Sequence, residues 1–276
     1  MKITASQVND LRKKTGAGMM DCKKALVEAE GDMDAAVTIL RKKGQKVAAK
    51  RGENETAEGL VIAKTFDNGN TGIILSLSCE TDFVAKNSDY YAFVESIIDV
   101  AAKNKSKSID ELNAASFDSN ITVAEKITEH VGVVGEKLVL SNYSLLAGEA
   151  VVAYNHPGNQ VATMVTLTKG GDEAIDAGKQ VAMQVAAMAP LALSKEGIDE
   201  ATIQNEIEIG KELAIKEGKP AEMAEKIAMG RLNKFFKENT LLSQSFIRDN
   251  KKSIEQFLKD TDKDLTVSDF KRFALK

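Results

Sequence analysis

Two stretches far apart in the chain repeat one local pattern, and that repeat constrains the fold more than any other feature. In the first, Leu60-Val61-Ile62-Ala63-Lys64 leads into Asp67-Asn68-Gly69-Asn70, and Gly72-Ile73-Ile74-Leu75-Ser76-Leu77 follows. In the second, Ala150-Val151-Val152-Ala153-Tyr154 leads into His156-Pro157-Gly158-Asn159, and Val161 to Leu167 follows. Branched and aliphatic runs on either side of Asn, Asp, Gly and Pro read as hairpins, because those turn residues tolerate the backbone angles a tight reversal needs. A helical pattern follows each hairpin, about Ser88–Lys103 and about Glu173–Met188, and a further strand, Glu136–Leu145, lies between the copies. The expected fold is α+β, with a duplicated core of small antiparallel sheets backed by helices.

Three short helices precede this core. Thr4 or Ser6 can cap the first, with Val8 and Leu11 inward, and Thr15-Gly16-Ala17-Gly18 breaks it. The second runs from about Met19 to Glu30, with Cys22, Ala25, Leu26 and Ala29 at helical spacing. The third covers Met33 to about Lys43, with Ala36, Val37 and Leu40 inward and Gly44 as its stop. The basic run Arg41 to Arg51 then reads as a helix end and a solvated linker, with a phosphate-contacting strip as the alternative. Such a module is too small to be a catalytic domain and large enough to dock on something.

The second unit is interrupted. From Asp199 to about Lys237 the pattern is helical, charged and sparsely apolar, with Gly218-Lys219-Pro220 near its middle. Glycine followed by proline ends one helix and starts another. Ile203, Ile207, Leu213 and Ile215 before the turn, and Met223, Ile227 and Leu232 after it, supply an apolar seam for two antiparallel helices. Pattern alone does not decide between a projecting interaction arm and a helical pair packed inside the domain. The tail returns with a strand-like piece from Leu241 to Ile247, a helix at about Ser253–Lys259, and a last short strand or helix to Lys276. By this reading the chain divides into 1–53 (docking module), 54–144 (first core unit), 145–194 (second core unit, first part), 195–237 (helical hairpin) and 238–276 (completion of the second unit and tail).

Composition narrows the function. Of 276 residues, 43% are hydrophobic, enough for a real core, and the formal net charge of −4 gives no whole-chain attraction to nucleic acid. Tryptophan is absent and aromatics are only 5%, which argues against stacking platforms for single strands. Met1-Lys2-Ile3-Thr4 leads straight into a helix signal without an apolar leader, and no run approaches the length that spans a bilayer, so the cytoplasm is the expected compartment. Cys22 and Cys79 lack metal-ligand spacing and read as buried thiols. His130 and His156 belong to no metal pattern. Gly16-Ala17-Gly18 resembles a piece of a dinucleotide fingerprint but follows no strand, and no phosphate loop is present. The reading is therefore a non-enzyme that takes no cofactor or metal and binds no nucleotide itself.

One short motif stands out. Thr81-Asp82-Phe83-Val84 sits where a strand gives way to a helix. Thr81 or Asp82 can cap that helix while Phe83 tucks beneath it as a staple, and this explains the residues adequately. The alternative is an exposed hydrophobic wedge made for a partner's pocket.

Several segments carry a family likeness. Thr15-Gly16-Ala17-Gly18-Met19-Met20-Asp21-Cys22-Lys23-Lys24-Ala25-Leu26 and Cys79-Glu80-Thr81-Asp82-Phe83-Val84-Ala85-Lys86-Asn87 resemble the two signatures of the elongation factor Ts family. Gly218-Lys219-Pro220 through Gly230-Arg231, and Leu241-Leu242-Ser243-Gln244-Ser245-Phe246, are similar to the family in the same order along the chain. The likeness implies a guanine-nucleotide exchange factor for elongation factor Tu, a translational GTPase. It implies a ubiquitin-associated-like N-terminal module that docks on that partner, with Met19 and Met20 as contact candidates. It implies that Asp82 and Phe83, flanked by Thr81 and Val84, enter the partner near its magnesium site. His156 matches a family histidine that also touches the partner, although Asn155-His156-Pro157-Gly158-Asn159 departs from the family pattern. The helical hairpin resembles the family's coiled coil, which dimerises some members, so a homodimer through it is a further expectation. Rival readings are an RNA-associated ribosomal accessory protein relying on Arg41 to Arg51, an enzyme using scattered carboxylates, and an adaptor whose three helices bind another target.

Overall fold

The structure, a computed structural model, describes residues 3–118 and 121–275. Met1, Lys2 and Lys276, named above at the two ends, lie outside the described residues.

The chain opens with α1 (Ala5–Thr15), α2 (Met19–Glu28) and α3 (Met33–Lys50). Thr4 caps α1 through a reciprocal box with Gln7, and Asp32 caps α3 by accepting from the Ala35 N–H at 2.8 Å. Val8, Leu11, Cys22, Ala25, Leu26 and Ala36 form the small core of this module. Gly44 does not stop the third helix, and the residues read as a solvated linker are helical to Lys50. The reason lies on another helix, described below.

β1 (Glu58–Phe66) and β2 (Thr71–Cys79) form the first hairpin, closed by Asp67, Asn68 and Gly69, all at positive φ. A single turn of helix, α4 (Asp82–Ala85), then leads to α5 (Ser88–Asn104), α6 (Ile109–Ala114) and α7 (Val123–Val134). β3 (Val139–Ala147) returns antiparallel to β2, giving the sheet order β1-β2-β3. The second copy follows with β4 (Ala150–Asn155), β5 (Val161–Leu167) and α8 (Asp172–Met188). After it come α9 (Glu200–Lys216), α10 (Ala221–Asn239), a two-stranded ribbon of β6 (Ser245–Phe246) and β7 (Asp249–Ser253), α11 (Ile254–Thr261) and β8 (Val267–Ala274). β8 completes the second sheet in the order β4-β5-β8, so the tail ends in a strand.

The two sheets pack face to face and the helices cover their outer faces. Val61, Ala63, Ile74, Val151, Ala162 and Met164 fill the layer between the sheets. On the outer face of the first sheet, Ile73, Leu75 and Leu77 meet Tyr90, Val94 and Ile97 of α5 and Ile127 and Val131 of α7. On that of the second, Val165 and Leu167 meet Val181 and Val185 of α8 and Leu258 of α11. This explains why β2 and β5 read as nearly unbroken apolar runs: both faces are covered. Gly72 sits where the sheets come closest, for a Cβ there would lie 2.6 Å from a Val151 methyl and 2.7 Å from the Met164 sulfur.

The helical pair α9/α10 corrects the expected seam. Leu213, Ile215 and Met223 are exposed; of the other expected seam residues Leu232 is buried and Ile203, Ile207 and Ile227 are half-buried, and the remaining buried positions are Gly210, Ala214, Ala224 and Ala228. A Cβ on Gly210 would stand 3.1 Å from Ala228, so small residues let the two backbones approach closely there and leave Leu213, Ile215 and Met223 outside. At its base the pair joins the second unit through the Leu241 N–H to Ala192 carbonyl bond (2.8 Å) and the Leu191 N–H to Asn239 carbonyl bond (2.8 Å).

Candidate functional site

The site is a corner of chain between β2 and α5. β2 ends at Cys79, whose thiol is buried and donates to the Thr81 carbonyl at 3.2 Å. Burial pushes that thiol up to about 11, so it carries no thiolate reactivity near neutrality. Tyr90 at the start of α5 is buried below and donates to the Leu77 carbonyl at 2.9 Å. Val84 and Ala85 of α4 lean on the first core, which fixes which way the single turn faces. Phe83 is left on the other side, 85% exposed.

That placement rules out the staple. Phe83 tucks under nothing, and the Thr81 side chain caps no helical N–H. Thr81 Oγ1 instead donates to Glu136 Oε1 at 2.6 Å. Asp82 does not cap either: it pairs with Lys86 at 2.6 Å, and that hydrogen bond and charge hold its carboxyl below the usual range.

Two carboxylates anchor the corner, and neither was legible in the sequence. Glu136 Oε2 accepts from the N–H groups of Glu80 (3.2 Å) and Thr81 (3.0 Å). Glu80 accepts from the Lys137 N–H (2.6 Å), from Asn54 (2.8 Å) and from Arg51 (2.6 Å). Burial opposes ionisation of Glu80, but those donors outweigh it and its carboxyl lies below the ordinary value. The corner is thus tied to the end of α3 on one side and to the residues after α7 on the other. The partners lie 26 to 57 positions away in the chain, beyond the reach of any local pattern.

The three-helix module is joined to the same frame. α3 crosses α7 at Gly44 and Gly132: a Cβ on Gly44 would lie 2.8 Å from the Thr128 carbonyl oxygen, and one on Gly132 2.8 Å from the Gly44 Cα. Val47 and Ala48, beyond the crossing, rest on the first core. Arg41 pairs with Glu129, which Lys126 also reaches at 3.1 Å, and Lys43 pairs with Asp21 at 2.6 Å. Arg41, Lys43 and Arg51 of the basic run are engaged in ion pairs. Met19 and Met20 stand exposed at the start of α2, at 58% and 64%.

His156 lies exposed in the β4–β5 turn, its Nδ1 3.0 Å from the Tyr154 hydroxyl. The turn is docked on β1: Asn155 accepts from the Ala63 N–H at 2.8 Å and donates to the Ala63 carbonyl at 2.9 Å, and the Val61 N–H donates to the Asn159 carbonyl at 2.7 Å. Asn155, which no local signal marks, seals the open edge of β1 as a neighbouring strand would. Glu58, at the start of β1, pairs with Cys79 beside the corner. At about 3.3 Å per residue, Val61 and Ala63 lie roughly 10–17 Å along the strand from it. Phe83 and His156 therefore belong to separate patches on one frame. Among the described residues no group of three or more His, Cys, Asp or Glu side chains is placed to hold a metal, and no helix is long and apolar enough to cross a membrane.

Residues 80–276 match the family model described as elongation factor TS. The chain is similar to the elongation factor Ts of Christiangramia forsetii, 50% identical over 274 residues, covering 99% of each. It is 50% identical to that of Cytophaga hutchinsonii over 274 residues, again 99% of each, and 43% identical to that of Porphyromonas gingivalis over 275 residues, 100% of this chain and 99% of the relative. With an exposed Phe83 on a braced corner and relatives aligned from end to end, this chain belongs to the elongation factor Ts family.

Proposed function

We propose that this chain promotes guanine-nucleotide exchange on elongation factor Tu during translation elongation, with Phe83 as the wedge that disturbs the partner's nucleotide site. One observation carries the reading: a large apolar side chain, 85% exposed, on a corner whose backbone is held by Glu136 and Glu80. An isolated exposed apolar residue needs no explanation, but one whose support is this extensively hydrogen-bonded suits insertion into a pocket.

The mechanism is displacement without bond chemistry. A GTPase holds GDP through backbone N–H groups of its phosphate loop and through a magnesium ion that demands near-ideal octahedral geometry. A phenyl ring driven in beside that ion, with Asp82 next to it, shifts the partner's elements and spoils the geometry. Burying one Phe yields roughly 1.5–3 kcal/mol, too little by itself to offset a tightly held nucleotide. The remaining binding energy comes from other patches: the 1–53 module as a ubiquitin-associated-like docking unit through Met19 and Met20, and the β4–β5 turn through His156. Coupling is reciprocal, so the factor by which this chain weakens GDP equals the factor by which GDP weakens this chain. The α9/α10 pair is read as a coiled-coil arm, with a homodimer through it as the second use. The factor works in the cytoplasm, takes no cofactor and holds no metal or nucleotide of its own.

The test is stopped-flow release of fluorescent GDP from elongation factor Tu at increasing concentrations of this chain. Strong acceleration is expected, and Phe83→Ala should reduce it about ten- to hundred-fold, since about 1.4 kcal/mol is a factor of ten. Its fold should be unchanged, because the ring contributes no packing. Unchanged release with Phe83→Ala removes the wedge; no acceleration by the natural chain removes the exchange function.

A further inference from the structure

The corner that carries Phe83 has a feature that its position alone does not require. The last two residues before α4, Glu80 and Thr81, offer two N–H groups and one hydroxyl, and one side chain takes all three. That side chain belongs to Glu136, more than fifty residues further on. It is delivered there by the way α7 ends: Gly135 adopts the left-handed conformation (φ 76°), its N–H closing on the Val131 carbonyl at 2.9 Å, and the chain turns back toward the end of β2. A residue with a Cβ would be strained at that angle.

We propose that Glu136 is a positioning residue for exchange: its carboxylate clamps the Glu80–Thr81 backbone so that Phe83 is presented to the partner already in its working orientation. This rests on the wedge reading given above. Thr81 occupies the capping position of α4 yet surrenders its hydroxyl to Glu136, so the orientation of the turn is set from outside it rather than by a local cap. Lys137, the next residue, repeats the arrangement from its backbone by donating to Glu80 at 2.6 Å, and its ammonium binds the carbonyls of Gly52 and Asn54. With the corner fixed before contact, the ordering of a loop is not subtracted from the energy of inserting the ring. Without the clamp, α4 would still form and Phe83 would still be exposed, but it would sample several directions.

Reach and charge can be separated. Glu136→Gln keeps the length: its carbonyl oxygen can accept both N–H groups and its amide can donate to the Thr81 hydroxyl, so only the charge is lost. Glu136→Asp keeps the charge and withdraws both oxygens by one methylene, about 1.5 Å, beyond hydrogen-bond distance of the corner. Both are measured by release of fluorescent GDP from elongation factor Tu at saturating factor, in the natural and in the Phe83→Ala background, with a thermal melt of each variant. A positioning role predicts that Glu136→Asp slows maximal release roughly ten-fold while Glu136→Gln stays within about three-fold, and that Glu136→Asp adds nothing once Phe83 is Ala. Glu136→Gln, which preserves side-chain volume, keeps the test valid if Glu136→Asp melts early. Should Glu136→Gln be the slower of the two, the carboxylate acts by its charge and the positioning role is wrong. An equal loss from Glu136→Asp in both backgrounds shows general destabilisation and also overturns it. No loss from Glu136→Asp while Phe83→Ala is impaired sinks the clamp and leaves the wedge standing. Normal release by Phe83→Ala removes the wedge and the clamp with it.

Discussion

Replacing glycine by alanine at two helical positions should change stability in opposite directions. Gly230 lies on the exposed side of α10, and a Cβ built there meets no atom within 4 Å. Alanine is favoured over glycine in a helix interior by about 0.8–1.0 kcal/mol, so Gly230→Ala should strengthen α10 by about that much. Gly44, in the interior of α3, stands to gain the same intrinsic amount. Its Cβ, however, would lie 2.8 Å from the Thr128 carbonyl oxygen and 3.5 Å from the Glu129 Cα, and both are backbone atoms. A side chain could rotate aside; a helix backbone cannot, so α3 and α7 must separate. Overpacking of this kind costs about 1–3 kcal/mol, and subtracting the propensity gain leaves a net loss of up to about 2 kcal/mol for Gly44→Ala. In a chain of this size that corresponds to a fall of a few degrees in Tm, roughly 2–4 °C per kcal/mol. Urea denaturation followed by circular dichroism gives the comparison, and amide hydrogen exchange in α10 reports the Gly230→Ala gain locally. If Gly44→Ala stabilises the chain as Gly230→Ala does, then α3 and α7 do not cross through their glycines and the account of the joint is wrong.

Other expectations follow from buried polar groups. His130 stacks on Phe93 at 3.9 Å, and its Nε2 has no hydrogen-bond partner among the described residues. Burial, helped by Lys126, lowers its pKa from 6.5 to about 4. Between those values the unfolded chain holds a proton that the folded chain refuses, so stability present above pH 6.5 should fall by about 3 kcal/mol as pH drops to 4. Denaturation midpoints across that range measure the loss, and the part due to this ring should vanish in His130→Phe; an unchanged slope would mean that other groups carry it. Asn155→Ala should cost about 1–3 kcal/mol, because it strips both hydrogen bonds from the buried Ala63 backbone, and a melt no different from that of the natural chain would show water replacing them.

What was legible in the sequence is what local chemistry determines. The hairpins declared themselves because Asp67, Asn68 and Gly69, and Gly158 and Asn159 in the second copy, are residue types that accept positive φ, and they sit between runs covered on both faces. What was not legible depends on partners remote in sequence. Gly44 looked like a helix stop because nothing near it shows that Gly132 lies across from it. The α9/α10 seam was assigned to the largest apolar side chains, whereas closest approach is set by the smallest, Gly210 against Ala228. The last strand was ambiguous because β8 exists only by pairing with β5, about a hundred residues earlier. The corner shows both limits: Phe83 could be singled out by type and setting, but whether it pointed in or out depended on Val84 and Ala85 taking the inner side and on Glu136 occupying the hydroxyl of Thr81.

The joint between module and core bears directly on the proposed exchange role. A single phenyl ring offers roughly 1.5–3 kcal/mol, while a nucleotide bound at nanomolar affinity is held by about 12 kcal/mol. On the proposed reading, the difference must come from the methionines of α2 and from the turn bearing His156, and it must be delivered at Phe83. Delivery requires that the patches keep their relative positions when the partner resists, because a loose linker would relax before the partner's nucleotide site did. The structure meets that requirement with close backbone contact at one point and side-chain ties at two others. Gly44 and Gly132 bring two helices together at the crossing, Arg51 and Glu80 tie the end of the first to the corner, and Glu136 ties the corner to the end of the second. Contacts among the three-helix module, a core helix and the strand-to-helix corner thus close a loop around Phe83. Loosening the crossing with Gly44→Ala should therefore reduce maximal GDP release more than it weakens initial docking of the module, an ordering opposite to that expected if the module were only a tether.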